Sequence, residues 1–332
     1  MKSRIFYSRK FRWLVMSSAM LSLLFSGTNA RMQEPAEVIR IESDLVDLKV
    51  SVMTRNTSTL APLLTQKDFT VLEDGTPQEI SFFAAADTPF DLVLLLDLSG
   101  SNKKNLKMIR NSAKRFVEAA RDVDRIALVA FTDQVWIYSP FTLDRTKLKK
   151  AIDDMDEAQG GTNFWDSLDY VLRVLVHRNS EMRRSAVVVM TDGVDNAIPD
   201  VAGLGSQITF DALLARVENS DSVVFPIYLD TEEESVKRYH VPRAAYAVAR
   251  QQLGQIASTC GTELYRASKL SDLDQLYPRV INDLRTVYSI SYRPSNRAPD
   301  GKWRTVSVEL HNRPELVART KKGYYAKQFP SQ

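Results

Sequence analysis

A single cysteine, Cys260, among 332 residues excludes any disulfide within the chain. Stability has to come from buried apolar cores, and Cys260 itself reads as a small buried side chain, with a bridge to another chain the lesser reading. Histidine is almost as scarce: His177, His240 and His311 are the whole complement. They fall in a helical stretch, a loop and a β stretch, and each reads as a surface or packing residue. There is no Gly-x-Ser-x-Gly, no His-Glu-x-x-His and no phosphate-binding glycine loop, so three common catalytic or phosphate-binding signatures are missing. A membrane-length apolar run is missing too. The run at 13–25 is about 13 residues, against roughly 20 needed to span a bilayer.

That run belongs to residues 1–30, which have the layout of a cleaved export signal. Lys2, Arg4, Arg9, Lys10 and Arg12 form a basic front, and Thr28-Asn29-Ala30 offers a small-residue cleavage point. No cysteine adjoins the junction, which argues against a lipid-anchored form. Removing these five basic residues takes the formal charge from +3 to −2. Nothing then points to a nucleic-acid binder. The mature chain is expected to be periplasmic or secreted, with no stable membrane span.

What is present centres on Asp91-Leu-Val-Leu-Leu-Leu-Asp-Leu-Ser-Gly-Ser101. Residues 91–96 lack polar alternation and read as a strand buried on both faces of a parallel sheet. Asp97, Ser99 and Ser101 follow on the turn, and Leu106, Ile109, Ala113, Phe116, Val117 and Ala120 then recur at helical spacing. Open α/β sheets bind ligands at such strand ends. Carboxylate and hydroxyl oxygens are hard donors, suited to Mg²⁺ or Ca²⁺ and poorly suited to zinc. An ordinary turn with a helix cap uses the same residue types. Two further segments separate the readings. Gly160-Gly-Thr162-Asn163 puts a hydroxyl in a glycine loop, and 187–191 is a second buried strand, running into Asp192.

In that order, Asp97, Ser99, Ser101, Thr162 and Asp192 resemble the metal-ion-dependent adhesion site (MIDAS) of the von Willebrand factor A (VWA) domain family. The resemblance covers roughly residues 91–287, with all five positions intact. It departs at Asn102, Lys103 and Lys104, where many relatives carry a methionine, which bears on ligand preference. It implies a Rossmann-like, doubly wound α/β sheet. It also implies a divalent cation, Mg²⁺ foremost with Mn²⁺ or Ca²⁺ as alternatives, and an open coordination position for an Asp or Glu of a protein partner. An adhesion or protein–protein interaction module follows, not an enzyme. Two alternatives stay open: a structural envelope scaffold with an idle metal site, and a Mg²⁺-dependent hydrolase, which would need a nearby base or nucleophile.

The centre alternates strands at 125–131, 135–139, 185–191, 223–229 and 264–266 with helical runs, the last at 270–287. Pro226 predicts a bulge. Met155 is placed on a helix with Leu148 and Ile152, and the charged run 231–240 reads as a solvated loop or helix end. On either side the pattern is β. Val46, Leu48, Val50 and Val52 alternate with polar residues, and Glu73-Asp-Gly75 predicts a hairpin joining Phe69 and Val71 to 80–83. Lys322-Gly323 reads as a turn. Val71-Leu-Glu-Asp-Gly75 before the centre and Gly323-Tyr-Tyr-Ala326 after it resemble a bacterial family of exported VWA-related (VWFA-related) proteins. The expected organisation is a signal at 1–30, a VWA domain at 89–287, and one β-sandwich-like domain made from 37–88 and 288–327. Val46, Val50, Ile80 and Phe82 are expected to share its core with Tyr288, Ile290, Val306 and Val308. N-terminal sequencing of protein from its native host should begin near Arg31, and recovery of residues 1–12 would refute export by cleavage.

Overall fold

The computed structural model describes residues 45–54, 62–85, 88–155, 160–176, 183–220, 222–268 and 270–327, without the side chains of 103, 104, 270, 271, 274 and 275. The export signal, residues 37–44 of the first β segment and His177 lie outside the described residues. Alternating apolar residues form β1 (Val46–Thr54), which buries Val46, Leu48, Val50 and Val52. β2 (Phe69–Glu73), β3 (Thr76–Gln78) and β4 (Ile80–Ala84) follow. Asp74 and Gly75 take positive φ values of 47° and 78°, a two-residue turn whose twist suits a hairpin. The hairpin closes sooner than expected, onto β3 instead of 80–83. Pro77 keeps β3 at a sheet edge, since proline has no N–H for a second neighbour.

β5 (Phe90–Asp97) is buried along its whole length, as its unbroken apolar run requires. The chain continues through α1 (Leu106–Ala119), β6 (Arg125–Phe131), β7 (Val135–Thr142), α2 (Arg145–Asp153) and α3 (Phe164–Tyr170), whose end continues as a π turn at Val171–Leu175. Next come β8 (Arg184–Thr191), α4 (Phe210–Glu218), β9 (Val223–Leu229), α5 (Glu232–Tyr239), α6 (Arg243–Thr259), β10 (Tyr265–Ala267) and α7 (Leu270–Leu284). Their sheet has the order β10-β9-β8-β5-β6-β7, parallel except for β7. From β5 the chain steps to β6 on one side; from β8 it steps to β9 on the other. Right-handed crossovers therefore place α1 and α4 on opposite faces, the doubly wound α/β arrangement. The direction reverses between β5 and β8, so their carboxyl ends frame a crevice.

Several details differ from expectation. Pro226 sits in a regular ladder opposite Val189, without a bulge. The N–H of Val224 points to the β10 side, toward the Cys260 sulfur, and residue 226 faces the same way. β10 pairs only from Ile227 onward, so among the described residues no partner strand lies where the missing N–H would point. Met155 lies beyond the end of α2, although it is buried. The last helix stops at Leu284, and Val287 already belongs to β11 (Val287–Tyr292). Residues 232–239 form the helix α5 and not a loop, with Glu233–Lys237 and Glu234–Arg238 ion pairs one turn apart.

β12 (Trp303–Leu310), β13 (Leu316–Arg319) and β14 (Gly323–Tyr325) close the chain, with Gly323 in a strand and not a turn. Two antiparallel sheets flank the central one, in the orders β13-β1-β11-β4 and β14-β12-β2-β3. Each mixes strands from before β5 with strands from after α7. Between them Val46, Val50, Phe69, Val71, Tyr288, Ile290 and Val306 share one core, with Ile80 and Val308 packed against it. Phe82 does not join: it is 54% exposed. The ladder with β11 skips Ser81, so Ile80 and Phe83 share the inner face and Phe82 turns outward.

Glu73 ties these sheets together. It is buried, and its Oε2 accepts hydrogen bonds from the Tyr292 hydroxyl at 2.7 Å and the Tyr324 hydroxyl at 2.8 Å. One carboxylate on β2 thus holds β11 and β14, which accounts physically for the glutamate and the tyrosine in the two end motifs. Replacing Glu73 by Ala leaves two hydroxyls without their acceptor. That change should cost about 2–4 kcal/mol in urea unfolding, and Tyr324→Phe about 1 kcal/mol. An unshifted midpoint for Glu73→Ala would remove the carboxylate from this role.

Candidate functional site

The crevice between β5 and β8 collects the sequence-selected side chains from three segments. β5 delivers Asp97 at its last residue, and the tight turn after it carries Ser99 and Ser101. β8 ends at Thr191, and Asp192 follows directly. The glycine loop between α2 and α3 brings in Thr162: Gly160 O accepts from Gly100 N at 3.3 Å, and Asn163 N donates to Thr132 O at 2.8 Å. Asp97, Ser99, Thr162 and Asp192 are buried, and Ser101 is half-buried.

Each carboxylate is held by neutral donors. Asp97 Oδ1 accepts from Ser99 N at 2.9 Å, and Asp97 Oδ2 from the Thr191 hydroxyl at 2.6 Å. Asp192 Oδ1 accepts from Val194 N at 3.1 Å, and Asp192 Oδ2 from the Thr231 hydroxyl at 2.6 Å. The Ser101 hydroxyl also bonds to Asp192, and the two serine hydroxyls lie 3.1 Å apart. An ionised carboxylate has about four acceptor positions, so both keep capacity to spare.

Burial, and then the facing Asp192 charge, pushes the Asp97 carboxyl up to about 7. Burial raises Asp192 as well. No Lys or Arg figures among the described groups acting on either. Two buried like charges, surrounded by hydroxyl oxygens and without a counter-charge among the described residues, fit a divalent cation with hard oxygen ligands. Among the described residues no group of three His, Cys, Asp or Glu forms a rival metal cluster.

The supporting residues were not singled out from sequence. Thr191 and Thr231 fix one oxygen of each carboxylate. Asn196 Oδ1 accepts from Thr162 N at 2.5 Å and so positions the glycine loop. Asp195, fully buried, accepts from the backbone of Trp165, Ala197 and Ser206 and from the Ser206 hydroxyl, locking the loop after β8 onto the start of α3. The run Asp192-Gly-Val-Asp195-Asn196 carried a signal, since Asp and Asn accept backbone hydrogen bonds in turns. Thr231 carried none: its place beside Asp192 comes only from the adjacency of β8 and β9. The charged segment 231–240 therefore lies at the site, with Tyr239 Oη donating to Gly100 O at 3.1 Å. None of the three histidines enters this hydrogen-bond network among the described residues.

The von Willebrand factor type A domain family model matches residues 91–279. An uncharacterised protein of Borreliella burgdorferi is 26% identical over 151 residues, covering 43% of this chain and 42% of its own length. The chain thus spans less than half of that curated relative. The solved structure of the conserved hypothetical protein BatB from Bacteroides thetaiotaomicron is similar at 16% identity, 59% of this chain, 98% of that one and a TM-score of 0.44. Proximal thread matrix protein 1 from the mussel byssus, described with a zinc-occupied MIDAS motif, is 17% identical, covering 63% of this chain and 49% of that one at a TM-score of 0.47.

The raised carboxyls make metal binding and pH interdependent. A folded-state value above the unfolded 3.8 means that the native protein holds protons the unfolded chain has lost. Stability from this pair is therefore present at low pH and is lost as pH rises through 3.8 toward about 7. A cation competes with those protons. Adding Mg²⁺ to chelator-stripped protein should raise its Tm more at about pH 8 than at about pH 5.5. Equal Mg²⁺-induced shifts at both pH values would show that these carboxylates do not bind the ion.

Proposed function

Because the chain belongs to the von Willebrand factor type A domain family, whose members are metal-dependent adhesion and protein-interaction modules, we propose that it binds a protein partner through a divalent cation at the crevice between β5 and β8. The observation that carries this reading is the paired burial of Asp97 and Asp192 among Ser99, Ser101 and Thr162, with no cationic side chain among the described residues acting on them. Those five residues are the proposed metal ligands, and Mg²⁺ is the proposed ion. When bound, the ion supplies a positive centre with a coordination position for a partner's Asp or Glu. The chain's own residues do the rest. Thr191 and Thr231 orient the carboxylates, Asn196 fixes the height of Thr162, and Asp195 keeps the surrounding loop in place. Among the described residues the groups hydrogen-bonded to the carboxylates are hydroxyls and backbone N–H groups, with no histidine, lysine or cysteine among them. That supports a binding module over a hydrolase.

The proposed organisation is a VWA domain at 89–287 inserted in one β domain made of 37–88 and 288–327. Its support is the pairing of β1 and β4 with β11 and of β2 with β12, strands from the two sides of the insertion. Export after cleavage of 1–30, to the periplasm or the exterior, completes the proposal. No described helix is long and apolar enough to cross a membrane.

Asp97→Ala provides the test. Calorimetry should show loss of Mg²⁺ binding, while far-UV circular dichroism stays that of the parent because Asp97 ends its strand and packs no apolar core. A variant with unchanged Mg²⁺ affinity would overturn the ligand assignment.

A further inference from the structure

Two surface side chains beside the metal face are presented outward by constraints the fold itself imposes. Tyr239, at the end of α5, is 40% exposed, yet its hydroxyl is fixed on Gly100 O between Ser99 and Ser101. The Arg238 guanidinium lies 5.4 Å from its ring centre, so one ring face is already covered. Leu204 is 90% exposed, in the loop that follows Asn196. Gly205 beside it lies flat on the backbone: a Cβ there would come within 1.9 Å of Ala197 N. With the loop pressed down at Gly205, the Leu204 side chain stands out from it. A run of contacts joins the two positions across the face. Tyr239 Oη meets Gly100, Gly100 N meets Gly160 O, Thr162 N meets Asn196 Oδ1, and the Asn196 amide meets Ala202 O. Three of the proposed metal ligands adjoin this run, Ser99 and Ser101 on either side of Gly100 and Thr162 within it, and Tyr239 and Leu204 lie at its two ends.

Charge at the α5 end does not oppose an acidic partner. Glu232 is paired with Arg243 and Arg250, Glu233 with Lys237, and Glu234 with Arg238. Isolated exposed apolar residues are common on any surface. Here one is tethered to the metal-binding turn, and the other stands on a loop held by the residue that positions Thr162. An immobilised aromatic ring is a favourable contact, because ordering it on binding costs little.

We infer that α5 and the 201–206 loop are the partner-reading walls of the metal face, and that they select a protein segment whose metal-binding Asp or Glu has apolar residues on both sides. This rests on the proposed metal-dependent binding. Tyr239 receives one flanking side chain and Leu204 the other, while the carboxylate occupies the coordination position between them.

The test uses the full chain on an immobilised peptide array with a central Asp or Glu, flanked by Leu and Val in one set and by Ser and Gly in the other. Binding is read in Mg²⁺ and in chelator. In Mg²⁺, the apolar-flanked set should bind about tenfold more tightly, a preference reduced to near unity in Leu204→Ser and in Tyr239→Ser. Mg²⁺ affinity of Leu204→Ser, measured by calorimetry, should stay that of the parent. Metal-dependent binding without flank preference, a preference that survives both substitutions, or no peptide binding by Mg²⁺-loaded protein would each overturn the inference. Binding that is equal in Mg²⁺ and in chelator would instead overturn the proposed function on which it rests.

Discussion

Asp97 and Asp192 are like charges buried side by side at the ends of adjacent parallel strands, and the crevice between β5 and β8 is built around their repulsion. Left uncompensated, such a pair costs several kcal/mol of desolvation or takes up protons. The fold meets part of that cost with hydrogen bonds from Thr191, Thr231 and the backbone of Ser99 and Val194. These donors are neutral, so they orient the carboxylates without cancelling their charge. That is the difference between a structural acid and a site. Asp91, at the opposite end of β5, is as deeply buried but is paired with Arg125 and Arg183, and it has nothing left to offer a ligand.

The same strand shows how position divides the two roles. Its apolar middle, residues 92–96, fixes β5 at the centre of the sheet, and only its ends carry charge. At the base the charge is met from within the chain. At the crevice it is met, among the described residues, only by neutral donors. The flanking sheets use a third solution, in which the buried Glu73 is satisfied by two tyrosine hydroxyls contributed from strands that follow α7. Three buried acids thus have three kinds of partner, and each kind tells what the acid does.

Much of this was legible because it depends on local pattern. The unbroken apolar run at 91–96, the alternation at 46–52 and the oxygen-bearing strand ends need only periodicity and turn chemistry to be read. What escaped depends on neighbours far along the chain. Phe82 and Phe83 are both apolar, and only the skipped pairing at Ser81 decides which faces inward. Charge at 232–239 suggested a solvated loop or helix end, while ion pairs one turn apart support a full helix there and the hydrogen bonds of Thr231 and Tyr239 fix it beside the crevice. Pro226 signalled a bulge because sequence does not reveal that β10 begins one residue later.

β4 leads into the central sheet at one end and β11 receives the chain from α7 at the same end, the two strands being antiparallel neighbours. Covalently the central unit is joined to the flanking sheets through these two strands, with polar contacts such as Arg319–Glu263 beside them. A pull on the central unit away from the flanking sheets would draw both strands in the same direction, so their mutual ladder is not peeled apart. The resistance comes from the next ladder, where β11 pairs with β1 from Val287 opposite Ser51 to Tyr292 opposite Val46. Those hydrogen bonds lie across the pull and are strained together in shear. An anchorage of this geometry yields abruptly and at higher force than one opened pair by pair.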